Sequence, residues 1–262
     1  DFARFLVENG FVVCGHDHIG HGESSEPENY GDLPAKDGEN ILLEDVNNIR
    51  LTVSQHFPEG LPYFIFGHSM GSLITRVYIS RFGKGLAGAI LSGTAEEPML
   101  VTAGGNLLAR LMAKVKGNDA RSKLLFNLAD GAYAKQIANA ETPFDWISSD
   151  KDAVQKYIAD DMNGFMFTAG GYSTLTAVAR DATSKKTVRG IPKTLPLLFI
   201  GGDNDPVGKM GKGVQKAFAT ARNEGVEDVE VIIYAGMRHE LINEREKERV
   251  YSDVLNWLEG HL

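Results

Sequence analysis

The sequence predicts an α/β fold in which a mostly parallel sheet carries helices on both faces. Short apolar runs typical of buried strands alternate with longer segments that have apolar residues at helical spacing. This alternation occupies residues 1–94 and resumes at residue 191. Between residues 95 and 190 the strand signals disappear. We therefore predict a core in two parts, 1–94 and 191–262, with a helical cap of residues 95–190 inserted between them.

The first part of the core alternates helix and strand. We predict helices over 1–10, 41–56 and 72–82, and strands over 11–15, 63–66 and 86–92. The single cysteine, Cys14, excludes an internal disulfide. Its apolar neighbours predict a buried strand thiol, and a single cysteine fits a reducing cytoplasm.

The cap and the second part of the core follow. In the cap, Leu107, Leu108, Leu111, Met112 and Val115 form an apolar helical face, and further helical stretches surround 124–128 and 153–158. After the cap we predict strands ending near residues 200 and 234 and helices over 214–221 and from 241 onward.

A G-x-S-x-G motif at residues 67–71 places Ser69 between the strand at 63–66 and the helix that follows. Such a strand-to-helix turn is strained and presents the serine hydroxyl at a helix N-terminus. Glycines on both sides let the backbone approach closely. Ser69 is therefore a candidate nucleophile.

Two partner segments follow in the chain. An apolar strand ends in a loop with Asp203 and Asp205, and a carboxylate there is well placed to orient a histidine. We favour Asp205, because Pro206 biases its backbone to an extended conformation, and assign Asp203 to the turn. His239 follows the last predicted strand, so the candidates occur in the order Ser, Asp, His, which is the order of the α/β-hydrolase fold.

These motifs, with the segment at residues 17–24, resemble an α/β-hydrolase of the monoacylglycerol lipase and lysophospholipase type. The resemblance covers nearly the whole chain. It implies Ser69 as nucleophile, Asp205 as acid and His239 as base, acting without a cofactor. It favours a monoacylglycerol or related single-chain ester as the substrate.

One departure from that family concerns the start of the sequence. Family members carry a His-Gly loop upstream of the position of Asp1, and that loop supplies an oxyanion donor. The loop and the first strands of the sheet are absent here, so we expect a fragment, a processed product or an incompletely represented chain. The N–H of Met70 remains as one oxyanion donor.

The composition and charge of the chain argue against some classes of binding partner. The net charge of −8 argues against binding nucleic acid or anionic membranes. No apolar run is long enough to span a bilayer. We expect a small-molecule ester substrate, with Leu107, Leu108, Leu111 and Met112 as possible acyl contacts; the sequence leaves the oligomeric state open.

Other functions remain open at this stage. A small-ester carboxylesterase or an aminopeptidase would use the same three residues. A non-catalytic ligand-binding protein on the same fold is a further alternative. A metallohydrolase would use His16, Asp17, His18 and His21, but a catalytic metal prefers three protein ligands plus water, and no second cluster completes the set. We therefore predict no metal.

Overall fold

A computed structural model describes residues 1–129, 131 and 133–262. Its sheet has four parallel strands in the order β1-β2-β3-β4. The strands are β1 (Phe64–His68), β2 (Gly88–Ser92), β3 (Leu197–Gly202) and β4 (Val229–Tyr234). Consecutive strands are parallel neighbours, and the chain forms at least one helix between each strand and the next. This arrangement confirms the predicted α/β class.

The helices of the described residues are α1 (Phe2–Glu8), α2 (Gly38–Ser54), α3 (Met70–Phe82), α4 (Met99–Lys116), α5 (Lys123–Ala129), α6 (Lys151–Ala159), α7 (Ala169–Ala182), α8 (Lys185–Gly190), α9 (Lys212–Asn223) and α10 (Lys247–Glu259). None of these helices combines the length and the apolar character that crossing a bilayer would need.

The sheet buries apolar side chains on both faces. Along β2, Ala89 and Leu91 pack toward the layer that holds α2, α3 and α9, whereas Ile90 packs toward α1 and α10. This alternation follows from the two-residue period of a strand. Because β2 and β3 are covered on both sides, they read in the sequence as continuous apolar runs.

The predicted strand over residues 11–15 is wrong. The segment forms no strand, and Cys14 is exposed instead of buried. A strand needs a neighbour for its backbone N–H and C=O groups. Here residues 11–15 line a groove of about 830 Å³ whose other wall includes β1, the edge strand of the sheet. The groove separates the apolar run from β1, and the run pairs with no strand.

The insertion packs in two places. Ala109 of α4, Leu125 of α5 and Tyr172 of α7 form a small apolar cluster of their own. The C-terminal half of α7 joins the main core instead, through Val178 and Ala182. Helix α7 thus belongs to both clusters. The predicted division of the chain at residues 95 and 190 stays a prediction; the range between them includes residues 130 and 132, which the structure does not describe.

Candidate active site

Ser69 lies at the sharp turn between β1 and α3. Its backbone has φ 52° and ψ −119°, a strained conformation for a residue other than glycine. The turn is held because the Ser69 N–H donates to the carbonyl of Ser92 at the end of β2, at 2.9 Å. The hydroxyl therefore sits at the carboxyl end of the sheet and at the N-terminus of α3.

The two glycines of the motif differ in their packing. A Cβ on Gly67 would lie 2.4 Å from the Thr75 hydroxyl and 2.5 Å from the Gly71 carbonyl, so no larger residue fits there. A Cβ on Gly71 would meet nothing within 4 Å. The expectation of close approach on both sides is therefore correct for Gly67 and wrong for Gly71.

Ser72 lies one turn along α3 and is fully buried. Its hydroxyl donates to the Ser69 carbonyl at 2.6 Å. This bond stabilises the turn and leaves Ser72 facing away from solvent. Of the two serines near the motif, Ser69 is the one presented by the strand-to-helix turn.

The structure brings Asp205 and His239 together. Asp205 follows β3, His239 follows β4, and the two side chains are 0% and 3% exposed. The Asp205 carboxylate accepts the Val207 N–H with Oδ1 at 2.9 Å, and its Oδ2 lies 3.0 Å from His239 Nδ1. A carboxylate only accepts at neutral pH, so Nδ1 carries the proton and Nε2 has the free lone pair.

Asp203 has a different partner. Its carboxylate accepts the N–H of Gly236 at 2.7 Å, which joins the loop after β3 to the loop after β4. Asp203 therefore holds together the two loops that carry Asp205 and His239.

His239 Nε2 is buried and has no hydrogen-bond partner, so the Ser69 hydroxyl does not bond to it in this conformation. Such bonds are often long before substrate binds and tighten in the complex. The His239 ring packs against both His68 and Trp146, with centroid distances of 4.6 Å and 5.2 Å. A buried imidazole with a free lone pair can accept a proton from a nearby hydroxyl.

His68 occupies the variable position before Ser69 in the G-x-S-x-G motif. In the structure its Nδ1 lies 3.2 Å from the Ser92 hydroxyl. Burial, and then the neighbouring His239, lower the pKa of His68 well below the usual value. The ring that packs on His239 is therefore neutral and places no positive charge beside it.

The predicted acyl contacts lie on α4. Leu107 and Leu111 are 61% and 51% exposed, while Leu108 and Met112 are half-buried in the small apolar cluster with Tyr172. The groove that reaches Ser69 and Met70 is lined by other residues, chiefly from residues 10–16, β1, α2 and α3. The role of the four α4 residues in binding stays a prediction.

The histidines considered as metal ligands do not converge on one point. His16 Nε2 lies 3.2 Å from His18 Nδ1, so these two rings bond to each other. The Asp17 carboxylate accepts the Glu23 N–H at 2.9 Å. Burial lowers the pKa of His18 to about 4. Among the described residues, the group spaced for a metal is Asp228, Glu230 and His261, at the start of β4 and the end of the chain.

Sequence analysis missed several residues around His239. Trp146 lies in the insertion, and Glu244 is a buried glutamate that contacts the same loop. A Cβ on Gly93, at the end of β2, would lie 3.0 Å from the His239 ring. Trp146 and Gly93 are far from His239 in the sequence and carry no local signal of this contact, whereas Glu244 follows His239 closely.

Comparison with known proteins places the chain in a family. The profile of the Hydrolase_4 family, described as serine aminopeptidase S33, matches residues 1–246. The chain is 28% identical to a monoacylglycerol lipase of Mycolicibacterium smegmatis, over 97% of this chain and 80% of that protein. It is 25% identical to human monoglyceride lipase, over 98% of this chain and 76% of that protein.

The structural comparison agrees with the sequence comparison. A highly thermostable carboxyl esterase from Bacillus coagulans, solved with glycerol, superposes with a TM-score of 0.91 at 30% identity. The match covers 99% of this chain and 84% of the esterase. The chain belongs to the Hydrolase_4 family and is a hydrolase enzyme with an α/β-hydrolase fold of the monoglyceride lipase type.

Proposed function

We propose that this protein hydrolyses carboxylic esters of single-chain lipids, such as monoacylglycerols, through an acyl-enzyme on Ser69. The observation that carries the proposal is the buried Asp205–His239 pair. The His239 ring packs on His68, the last residue of β1, and Ser69 follows directly. The names of the relatives support an ester or lipid substrate.

The first half of the reaction forms the acyl-enzyme. His239 Nε2 takes the proton from Ser69 Oγ, and Oγ forms a bond to the ester carbonyl carbon. The carbonyl oxygen becomes an oxyanion, which we place at the N–H of Met70, the first residue of α3 and therefore free of a helical partner. The bond from carbon to the alcohol oxygen then breaks, and the alcohol leaves with the proton from Nε2.

The second half releases the acid. A water molecule gives a proton to His239 Nε2, and its oxygen attacks the acyl carbon. The bond to Ser69 Oγ breaks, the proton returns to the serine, and the carboxylic acid leaves. Asp205 keeps the imidazole in the required tautomer and stabilises the imidazolium that forms twice in each turnover.

The net charge of the protein bears on the leaving group of the substrate, and the cap bears on its acyl chain. The net charge of −8 gives no general attraction for an anionic head group, so a neutral glycerol ester fits better than a lysophospholipid. Leu107 and Leu111 are the accessible members of the proposed acyl-binding face of α4. Each further methylene that is buried stabilises the bound substrate by about 0.8 kcal/mol. We therefore expect kcat/KM to rise with acyl length until the chain covers the whole apolar face.

Mass spectrometry after reaction with a fluorophosphonate tests the nucleophile. We expect one adduct, on Ser69, and almost no turnover of a monoacylglycerol in Ser69→Ala, while Ser72→Ala keeps its adduct on Ser69. An adduct elsewhere, or normal turnover in Ser69→Ala, would refute the mechanism.

A second candidate function is the aminopeptidase activity in the family description. The same triad can attack an amide, so the substrate decides between the two. Glycerol and p-nitrophenyl esters of increasing acyl length should be compared with an aminoacyl-amide. Higher kcat/KM for the aminoacyl-amide would favour the peptidase, and a response that is flat with acyl length would favour a small-ester carboxylesterase.

A further inference from the structure

Glu244 is a buried carboxylate close to His239. It is 2% exposed and follows the short 3₁₀ turn Leu241–Asn243. Its Oε1 accepts the Arg238 N–H at 2.7 Å and the Ser149 N–H at 2.9 Å. Its Oε2 accepts the Ser149 hydroxyl and, at 3.3 Å, the Arg245 N–H. These four donors replace the hydrogen bonds to water that the carboxylate loses when it is buried.

Three of these donors, from Arg238 and Ser149, belong to two different segments. Arg238 precedes His239 in what we call the base loop, residues 235–244, whereas Ser149 ends what we call the brace, residues 145–149 of the insertion. One carboxylate therefore binds the backbone of the base loop and the backbone of the brace at the same time. The contact joins parts of the chain that are 95 residues apart.

The base loop and the brace also bond to each other directly. The Glu240 N–H donates to the Ile147 carbonyl at 2.7 Å, and the His239 N–H donates to the Trp146 carbonyl at 3.4 Å. The Arg238 guanidinium donates to the carbonyls of Asp145 and Ser148. The position of the His239 backbone amide therefore depends on the position of the brace. The position of the His239 ring does too, because Trp146 packs on that ring.

We infer that Glu244 is a positioning residue, which fixes His239 by holding the base loop against the brace. The inference rests on the proposed function, since it gives His239 the role of base. Glu244 contacts none of the reacting atoms; it acts through the Arg238 amide and Ser149. A carboxylate matches this site because both of its oxygens accept from backbone N–H groups, whereas an amide nitrogen in place of Oε2 would face the Arg245 N–H.

The test is Glu244→Gln, with Glu246→Gln as the matched control, since Glu246 is exposed and lies two residues further along the chain. The amplitude of fluorophosphonate labelling gives the concentration of competent sites, and kcat is expressed per site. We expect kcat to fall about 10-fold in Glu244→Gln, because a small displacement of the base is costly, with KM changed less than about 2-fold. Glu246→Gln should match the wild type.

Ser149→Ala supplies a milder variant in case Glu244→Gln does not fold. It removes one donor to Oε2 and keeps the backbone donor to Oε1, so kcat should fall about 3-fold, since one hydrogen bond to a charged group is lost while the others remain. In the double variant the two effects should be less than additive, because both act on one contact. Unchanged kcat per site in both single variants would overturn the inference.

A spectroscopic measurement separates this inference from the proposed function. The Nδ1 proton of His239, bonded to Asp205, is expected as a downfield proton resonance that Asp205→Asn abolishes. In Glu244→Gln this resonance should shift or broaden, and in Glu246→Gln it should not. If Ser69→Ala retains turnover, the proposed mechanism fails, while the resonance still reports whether Glu244 positions His239. An unaltered resonance in Glu244→Gln would overturn the positioning role.

Discussion

Asp205 and His239 are 34 residues apart in the chain, yet a 3.0 Å hydrogen bond joins them. They meet because β3 and β4 are neighbouring parallel strands, which end at the same edge of the sheet. Asp203 reinforces this meeting by accepting the Gly236 N–H from the opposite loop. Two carboxylates of one loop thus have separate tasks.

The two aspartates should differ sharply when each is changed to asparagine. Asp205→Asn should lower kcat by about 10⁴, as in a serine protease with the same triad, because the imidazole is then held in the wrong tautomer. Asp203→Asn retains an oxygen that can accept the Gly236 N–H and should cost far less. Steady-state kinetics on one ester measure both, and the opposite ranking would make Asp203 the catalytic acid.

Gly93→Ala should impair catalysis through the two histidines. Gly93 has φ +58°, and an added Cβ would lie 3.0 Å from His239 Cε1 and 3.1 Å from His68 Cε1. Moving these rings by a fraction of an ångström should lower kcat by about 10²-fold. Gly104→Ala, where a Cβ meets nothing within 4 Å, is the control and should keep full activity. A normal kcat in Gly93→Ala would mean that the His239 ring can be displaced without loss of activity.

Two arginines of α3 should differ in their contribution to stability. Arg76 and Glu96 form a 2.8 Å ion pair in which both side chains are almost fully buried, at 3% and 4% exposure. Arg76→Leu leaves the Glu96 charge buried without its partner and should lower the free energy of unfolding by about 3–5 kcal/mol.

Arg81 is the control for that experiment. It pairs with Glu39 at 2.6 Å but is 41% exposed, so Arg81→Leu should cost less than about 1 kcal/mol. Urea unfolding at neutral pH measures both variants. Equal losses would show that the burial of the Arg76 pair does not determine its contribution.

Stability should decrease on acidification, and His68 should account for part of the decrease. Burial lowers the pKa of His68, so the folded protein keeps this ring neutral while the unfolded chain binds a proton below about pH 6.5. Protons then favour the unfolded state, and stability present above pH 6.5 is lost at up to about 1.4 kcal/mol per pH unit for each such group. Partly buried His18, with its pKa lowered to about 4, adds to the same slope.

The measurement is the urea midpoint at pH 7, 6 and 5 for the wild type, His68→Asn and His56→Asn. The His68 variant should lose less stability over this range than the wild type, whatever its stability at pH 7. His56 is exposed on the surface, so its variant should follow the wild-type slope. Parallel slopes in all three proteins would contradict a neutral His68 in the folded state.

Much of the architecture was readable from local sequence. The apolar runs at β1 to β4 and the helical spacing between them predicted the α/β class, because burial on both faces leaves a pattern within a few residues. The turn that carries Ser69 was predicted in the same way, since a G-x-S-x-G motif between a strand and a helix is typical of a sharp strand-to-helix turn. The packing of Gly67 against Thr75, eight residues along the chain, is still a local effect.

Tertiary structure decided what local patterns do not encode. Residues 11–15 read as a strand, but a strand exists only where a neighbour pairs with its backbone, and this segment faces a groove instead. Leu107 and Leu111 belong to the apolar pattern of α4 yet lie exposed, because spacing predicts a shared face and not what covers it. Trp146 contacts His239, and Ser149 contacts Glu244, only because the insertion folds back onto the loop after β4, and no short motif can specify such contacts between distant residues.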